Sequence, residues 1–237
     1  ESLGLLDDPY RFCDARREKE VAARPEHRDA ARDMARRSIV LLRNEGDLLP
    51  LADDGMSIAL IGPLAADRPN LLGSWKAAGD TTGAMDVLAA FKARSRTPIR
   101  IEHQKGCDLL GDDRSGFSTA LALARRSSVI VAVMGEPADY SGEAASRTQL
   151  DLPGVQSALL HQLVATGKPV VLVVMSGRPL ALAWEAQHCR ALVQAWYLGT
   201  MAGPALADVL FGDVSPSGRL PITVPRTVGQ VPIFHAA

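Results

Sequence analysis

The sequence predicts an α/β domain built on a doubly wound, mostly parallel sheet sandwiched by helices, and three observations predict it. Five short apolar runs, Ser57 to Ile61, Ile99 to His103, Val129 to Met134, Val170 to Met175 and Ala191 to Trp196, are each flanked by turn residues. Their hydrophobicity is continuous rather than alternating, so both faces of each strand must be covered. Helical patterns lie between them, which makes the strand pairing parallel.

Taken in order, residues 1 to 25 carry Asp7-Asp8-Pro9-Tyr10 and then a mixed charge run through Glu20 without sustained periodicity. They are expected to form a linker strap over the surface. From Glu26 to Asn44, Ala31, Met34, Ala35, Ile39 and Leu42 recur at three- and four-residue steps, which predicts one amphipathic helix with its arginines on a solvated face. Pro153 to Thr166 sets Val155, Leu159, Leu160, Leu163 and Val164 on one face, with Pro153 near the start and Gly167 past the end. Ala202 to Phe211 repeats that plan and is closed by Gly212. The stretch from Gly212 to Pro225 is broken by Pro216, Gly218, Pro221 and Pro225, leaving room for a short antiparallel edge strand at Leu220 to Val224. The α/β domain is therefore expected over residues 26–225, with 226–237 as a tail.

Composition narrows the function classes. The chain has 237 residues, 47% hydrophobic and 22% charged, with a net charge of -1, so it offers no electrostatic footprint for nucleic acid or an acidic membrane. A neutral small molecule is the expected partner. Cys13, Cys107 and Cys189 stand too far apart for a Cys-x-x-Cys metal pair or a dense disulfide framework, and are expected to be buried small hydrophobes. His27, His103, His161, His188 and His235 are scattered without an H-E-x-x-H pair, so no metal or other cofactor is expected. No apolar run approaches the roughly 20 residues that span a bilayer. The opening Glu1-Ser2-Leu3-Gly4 lacks the basic start and hydrophobic stretch of a leader and reads as the edge of a longer chain.

In a sheet of this kind, ligands bind beyond the carboxyl ends of the strands. The segments there are Gly62 to Gly79, Gly135 to Leu152 and Ser176 to Pro179. The second holds three carboxylates, Glu136, Asp139 and Glu143. A carboxylic acid at such a mouth can protonate a departing oxygen, the step that glycosidic bond cleavage requires. Surface loops also carry Asp and Glu for solubility alone, so residue type does not choose among the three. Trp75 is either a half-buried cap on the core or a platform for an apolar sugar face. Trp184 and Trp196 read as packing residues, and Arg178, between Gly177 and Pro179, as turn chemistry.

Several motifs then agree in order: Ile61-Gly62-Pro63-Leu64-Ala65; Gly73-Ser74-Trp75; Val133-Met134-Gly135-Glu136; Gly142-Glu143 with Arg147 and Leu150-x-Leu152-Pro153-Gly154-x-Gln156; Ser176-Gly177-Arg178-Pro179; and Val209-Leu210-Phe211-Gly212-Asp213 followed by Pro216-Ser217-Gly218-Arg219-Leu220-Pro221. Together they resemble the second domain of glycoside hydrolase family 3, from about Leu5 to Phe234, and are similar to its periplasmic bacterial β-glucosidase branch. The resemblance implies a retaining β-glucosidase whose nucleophilic aspartate sits on a preceding (β/α) barrel that precedes Glu1. Residues 1–25 become the strap from that barrel and the tail leads toward a further segment. Glu143 matches the family's acid/base glutamate, with Glu136 as the second candidate. The common pattern Ser-Glu-Gly-x-Asp-Arg appears here as Gly142-Glu143-Ala144-Ala145-Ser146-Arg147. Trp75 matches the aromatic platform of the leaving-group subsite, and Arg147 is positioned to orient Glu143 or to form an ordinary surface ion pair. The implied partners are a β-glucoside or short oligosaccharide and the barrel itself, the implied compartment is the periplasm or the exterior, and the choice among glucosides, xylosides and arabinosides falls to barrel residues.

Two rival readings belong to other classes. A nucleotide-binding domain would need G-x-G-x-x-G or a P-loop after the first strand, where the chain instead reads Gly62-Pro63-Leu64-Ala65-Ala66-Asp67. A non-catalytic carbohydrate-binding or interaction module would use Trp75 without proton transfer.

Overall fold

The computed structural model describes residues 1–22, 24–52, 54–94 and 99–234. His235 and the last residues of the expected tail lie outside the described residues. Six strands form one sheet: β1 (Val40–Asn44), β2 (Ser57–Ile61), β3 (Arg100–Gln104), β4 (Val129–Gly135), β5 (Val170–Met175) and β6 (Ala191–Gln194), in the order β1-β6-β5-β4-β2-β3. All neighbours are parallel except β1 and β6. The helices are α1 (Ala15–Val21), α2 (Pro25–Ser38), α3 (Val87–Arg94), α4 (Phe117–Arg126), α5 (Gln156–Val164), α6 (Ala183–His188) and α7 (Ala202–Leu210). The predicted doubly wound sheet and its five strands are therefore present, but β3, Arg100-Ile101-Glu102-His103-Gln104 at the sheet edge, is neither a continuous apolar run nor buried on both faces as expected.

The apolar strands have two cores to serve because side chains alternate between faces. Ile58 and Leu60 of β2, Val131 and Val133 of β4, and Val171 and Val173 of β5 pack with α2, α3 and α7. Ala59 and Ile61, Ile130 and Ala132, and Leu172 and Val174 point the other way onto α4 and α5. Winding reverses at the centre: the chain passes from β2 outward to β3, then crosses back to β4 on the other side of β2. Loops leaving β2 and β4 emerge side by side at that reversal, the place where open α/β sheets hold ligands.

Two expectations are corrected. The helix expected over 26–44 ends at Ser38, and its last part is the strand β1. Ile39 and Leu42 satisfy a helical spacing, yet the run Ile39-Val40-Leu41-Leu42 finds backbone partners on β6, with Val40 opposite Gln194 and Leu41 opposite Val193. This strand is the antiparallel edge, at the opposite end of the sequence from the one expected. Residues 220–224 form no strand: Leu220 and Ile222 are exposed, and Pro221 and Pro225 lack the donors that a ladder needs. That turn-rich stretch instead lies along the α2–β1 junction, where the Gly218 amide donates to the Ile39 carbonyl at 3.0 Å. A Cβ at Gly218 would come within 2.4 Å of that carbonyl oxygen, which explains the glycine of Pro216-Ser217-Gly218.

Residues 1–22 contain no buried side chain. They are not featureless, because Asp14 caps the short α1 by accepting from the amides of Arg16 and Arg17. The arginines of α2 are not all a solvated face either. Arg32 and Arg36 converge on Asp208 of α7, which is 2% exposed, with contacts of 2.5 to 2.7 Å. A cavity of about 400 Å³ lies beside this cluster, between α2, α3 and α7 and away from the strand ends that carry the site motifs. Cys107 and Cys189 are buried as expected, whereas Cys13 is exposed. No helix of the described residues is long and apolar enough to cross a membrane.

Candidate active site

The site grows out of two glycines at the carboxyl ends of the central strands. Gly62 follows β2 with φ 124°, and a Cβ there would lie 2.2 Å from the Val133 carbonyl oxygen. Gly135 ends β4 with φ 151°, and a Cβ there would meet the Met175 carbonyl oxygen at 1.8 Å. Only glycine lets these strands approach so closely as their chains turn outward. Gln156, fully buried at the start of α5, fastens the second exit: its Oε1 accepts from the Gly135 amide at 2.9 Å, while Nε2 donates to the carbonyls of Gly135 and Leu109.

The loop after β4 runs inward first and outward afterward. Glu136 is 0% exposed. Arg147 donates to its Oε1, and the Arg178 Nε lies 3.6 Å from its Oε2. Such a carboxylate is sealed from solvent, with both oxygens facing guanidiniums of neighbouring segments. Arg147 is thereby committed to Glu136 rather than to Glu143, with its guanidinium also 5.1 Å from the Tyr140 ring centre. Seven residues further on, Glu143 is exposed, and its carboxylate accepts no hydrogen bond from any described residue. Glu143 and Ala144 form the centre of a turn closed by the Ala145 amide on the Gly142 carbonyl at 3.3 Å. Ala144 has φ 58°, a left-handed conformation at the position where the family pattern carries glycine.

The loop after β2 comes alongside. Asn70 accepts from the Ala138 amide at 2.8 Å, stitching the two loops together. A Cβ at Gly142 would touch Ser74 at 3.4 Å, so Gly73-Ser74-Trp75 adjoins Gly142-Glu143 in space. Trp75 is 73% exposed and therefore presents its indole outward rather than capping the core. The loop after β5 completes the ring: a Cβ at Gly177 would fall 2.2 Å from the Ser141 Oγ, and Arg178 donates to the carbonyls of Tyr140 and Ala145. Sequence reading placed Arg178 in turn chemistry, and its side chain does more, because it holds another loop. No motif in the sequence marks Tyr197. Its hydroxyl lies 3.0 and 2.9 Å from the carbonyl oxygens of Glu136 and Pro137, and burial, followed by the neighbouring Glu136 charge, pushes its pKa up. The signal for Tyr197 was its place just past the β6 strand end, among the loops at the sheet's mouth.

Asp139, the remaining carboxylate of this loop, is exposed but sits in the single turn at residues 138–140 before the tip. Of the residues expected at the site, the structure brings Trp75 and Glu143 onto adjoining exposed loops and sets Arg147 and Glu136 beneath them. Trp184 stacks between His161 and His188, with ring centres 3.8 and 4.2 Å apart, on the outer side of α5 and α6. Trp196, after β6, adopts φ 55° at the margin of the core.

Fold and site together define a doubly wound α/β domain that presents a free carboxyl group and a free indole at its topological switch. The glycosyl hydrolase family 3 C-terminal domain model matches residues 39–237, and the chain belongs to that family. A periplasmic beta-glucosidase of Salmonella typhimurium is 39% identical over 99% of this chain and 34% of its own length. A beta-xylosidase of Formosa agariphila is 37% identical over 98% of the chain and 33% of its own. The crystal structure of a beta-glucosidase from Listeria innocua superposes with a TM-score of 0.90 at 34% identity, covering 98% of this chain and 31% of that one. The chain thus spans about a third of the length of the relatives it matches.

Proposed function

We propose that this chain is the acid/base-bearing domain of a retaining β-glucosidase, acting on β-linked glucosides together with a (β/α) barrel that supplies the nucleophile. The observation that carries this reading is the state of Glu143: an exposed, unbonded carboxyl at the tip of a loop whose base is fastened at several points. In the first half-reaction a barrel aspartate attacks the anomeric carbon as the glycosidic C–O bond breaks, and Glu143 gives its proton to the departing oxygen. In the second, the same glutamate takes a proton from water, and the resulting hydroxide displaces the aspartate from the sugar. Trp75 packs on the apolar face of the leaving group. Arg147 borders the same subsite from beneath through its ion pair with Glu136.

The relatives support glucosides as the substrate class, and the xylosidases among them leave the sugar to be selected on the barrel. Residues 1–25 would run to that barrel as an exposed strap, with 26–225 as the α/β domain and 226–237 leading onward. The periplasm is the proposed compartment, by likeness to the Salmonella enzyme.

The test is Glu143→Gln in the full-length enzyme. Hydrolysis of an alkyl β-glucoside should fall by about 10² to 10⁴, the usual worth of general acid/base catalysis, with folding intact. Unchanged turnover would instead identify a carbohydrate-binding module that uses Trp75 without chemistry.

A further inference from the structure

We infer that Glu136 and Arg178, with Arg147, are positioning residues that hold the Glu143 turn in its working conformation; the inference rests on Glu143 being the acid/base. The turn has little of its own to keep it in place. Glu143 makes no polar contact with the described residues, and Ala144 occupies a left-handed conformation that is strained for a non-glycine residue. Conformations of that kind persist only where the surroundings over-determine them. Among the described residues, the hydrogen bonds that reach this turn from another loop come from one guanidinium. Arg178, reaching over from the loop after β5, donates through Nη2 to the carbonyl of Tyr140 and, at 2.8 Å, to the carbonyl of Ala145. Those carbonyls flank the tip on both sides, so a single planar group bridges the base of the turn.

Glu136 explains why Arg178 stays where it is. Its carboxylate is fully buried and is faced by two cations, Arg178 on Oε2 and Arg147 on Oε1. Arg147 lies four residues beyond Glu143 on the far arm of the loop, so the hub fastens that arm directly and the tip through Arg178. Tyr197 braces the hub from behind, with its hydroxyl at the Glu136 and Pro137 carbonyls. A buried carboxylate between two guanidiniums contributes little net stability against an apolar replacement, but it fixes geometry and is damaging to break. This loop has a stated need for fixed geometry, because proton transfer depends on the placement of the donor.

The experiment uses the full-length enzyme with Arg178→Lys and Glu136→Gln, and Glu143→Gln in parallel. Lysine keeps a charge, but its single ammonium cannot stand beside Glu136, as Nε does, and also reach the two carbonyls that Nη2 serves. A mispositioned acid should hurt substrates in proportion to their need for a proton. With Arg178→Lys, kcat/KM for an alkyl β-glucoside should fall by about 10- to 100-fold, the range expected for a displaced catalytic group. A 2,4-dinitrophenyl β-glucoside, whose leaving group departs without protonation, should lose less than about threefold on the same grounds. Glu136→Gln should show the same split. Equal loss on both substrates, no loss on either, or failure of both variants to fold would assign these residues to stability and overturn the inference. Glu143→Gln separates the two levels: if it lacks the leaving-group split, the acid/base reading itself falls, and if it shows the split while Arg178→Lys does not, only the positioning role falls.

Discussion

Glu136 and Glu143 are the same side chain seven residues apart on one loop, and their surroundings give them opposite capacities. Glu136, at the strand end, is sealed from solvent between Arg147 and Arg178, beneath Tyr197. Glu143, at the tip, faces solvent with no partner among the described residues. A carboxyl enclosed by two guanidiniums is fixed in place and closed to ligands, whereas one at an open tip is accessible to them. The loop thus has a fixed root and an open tip, and residue type alone says nothing about which is which.

The sharpest way to test that division is at the two glycines that precede the two glutamates. Gly135→Ala would drive a Cβ to 1.8 Å from the Met175 carbonyl oxygen at φ 151°. It should cost about 4–5 kcal/mol or prevent folding, as measured by denaturant unfolding. Gly142→Ala meets only Ser74 at 3.4 Å, so backbone strain alone should cost about 1–3 kcal/mol. At the glutamates, Glu136→Ala strands two part-buried guanidiniums and should destabilise by up to about 3–5 kcal/mol. Glu143→Ala should stay within about 0.5 kcal/mol of the parent, as exposed substitutions do. Equal costs at root and tip would erase the distinction.

A third carboxyl extends the comparison with a smaller effect. Glu185 of α6 is 6% exposed, and burial, followed by repulsion from Asp151, raises its pKa above the ordinary value. No guanidinium pairs with it among the described residues. Because the folded state binds its proton more tightly than the unfolded state does, the group is harmless at low pH. It subtracts stability as pH rises through and above the ordinary glutamate range. Glu185→Gln should therefore raise the Tm at pH 7, with the gain shrinking as pH falls toward about 4. A gain that does not vary with pH would show that charge is not the cause.

Most of the fold was legible in the sequence because β2, β4, β5 and β6 are largely unbroken apolar runs, and such runs bear the two-faced burial of a parallel sheet directly. Helices were read less evenly. The apolar residues of α3 do not gather on one face, and α6 has six residues, so neither offered a periodic signal. By contrast, α4 did carry one, with Phe117, Ala120, Leu123 and Ala124 buried on one side. At β1 a helical spacing and a buried strand coincide over Ile39 to Leu42, and the partner strand β6, far along the chain, decides between them. Tertiary pairing of this kind is invisible to local pattern.

The site divides in the same manner. Trp75 and Glu143 were reachable through motif order, since each sits on a loop whose glycines the backbone requires. The partnership of Arg147 was not, because four-residue spacing suggested Glu143 while the folded loop turns the guanidinium inward to Glu136. Arg178 and Tyr197 were hidden for a similar reason: their contacts are to backbone carbonyls of a distant loop, which leave no trace in the spacing of residue types.

The central claim is that the Glu143 carboxyl moves protons for a reaction whose nucleophile lies elsewhere in the enzyme. It is tested most directly with Glu143→Ala in the full-length protein and a 2,4-dinitrophenyl β-glucoside. This substrate still forms the glycosyl-enzyme, which then waits for want of a base. Added azide, an anion that needs no deprotonation, should enter the space left by the side chain and restore turnover, releasing the β-glucosyl azide. Failure of azide to accelerate turnover, or release of the α-azide, would contradict the assignment.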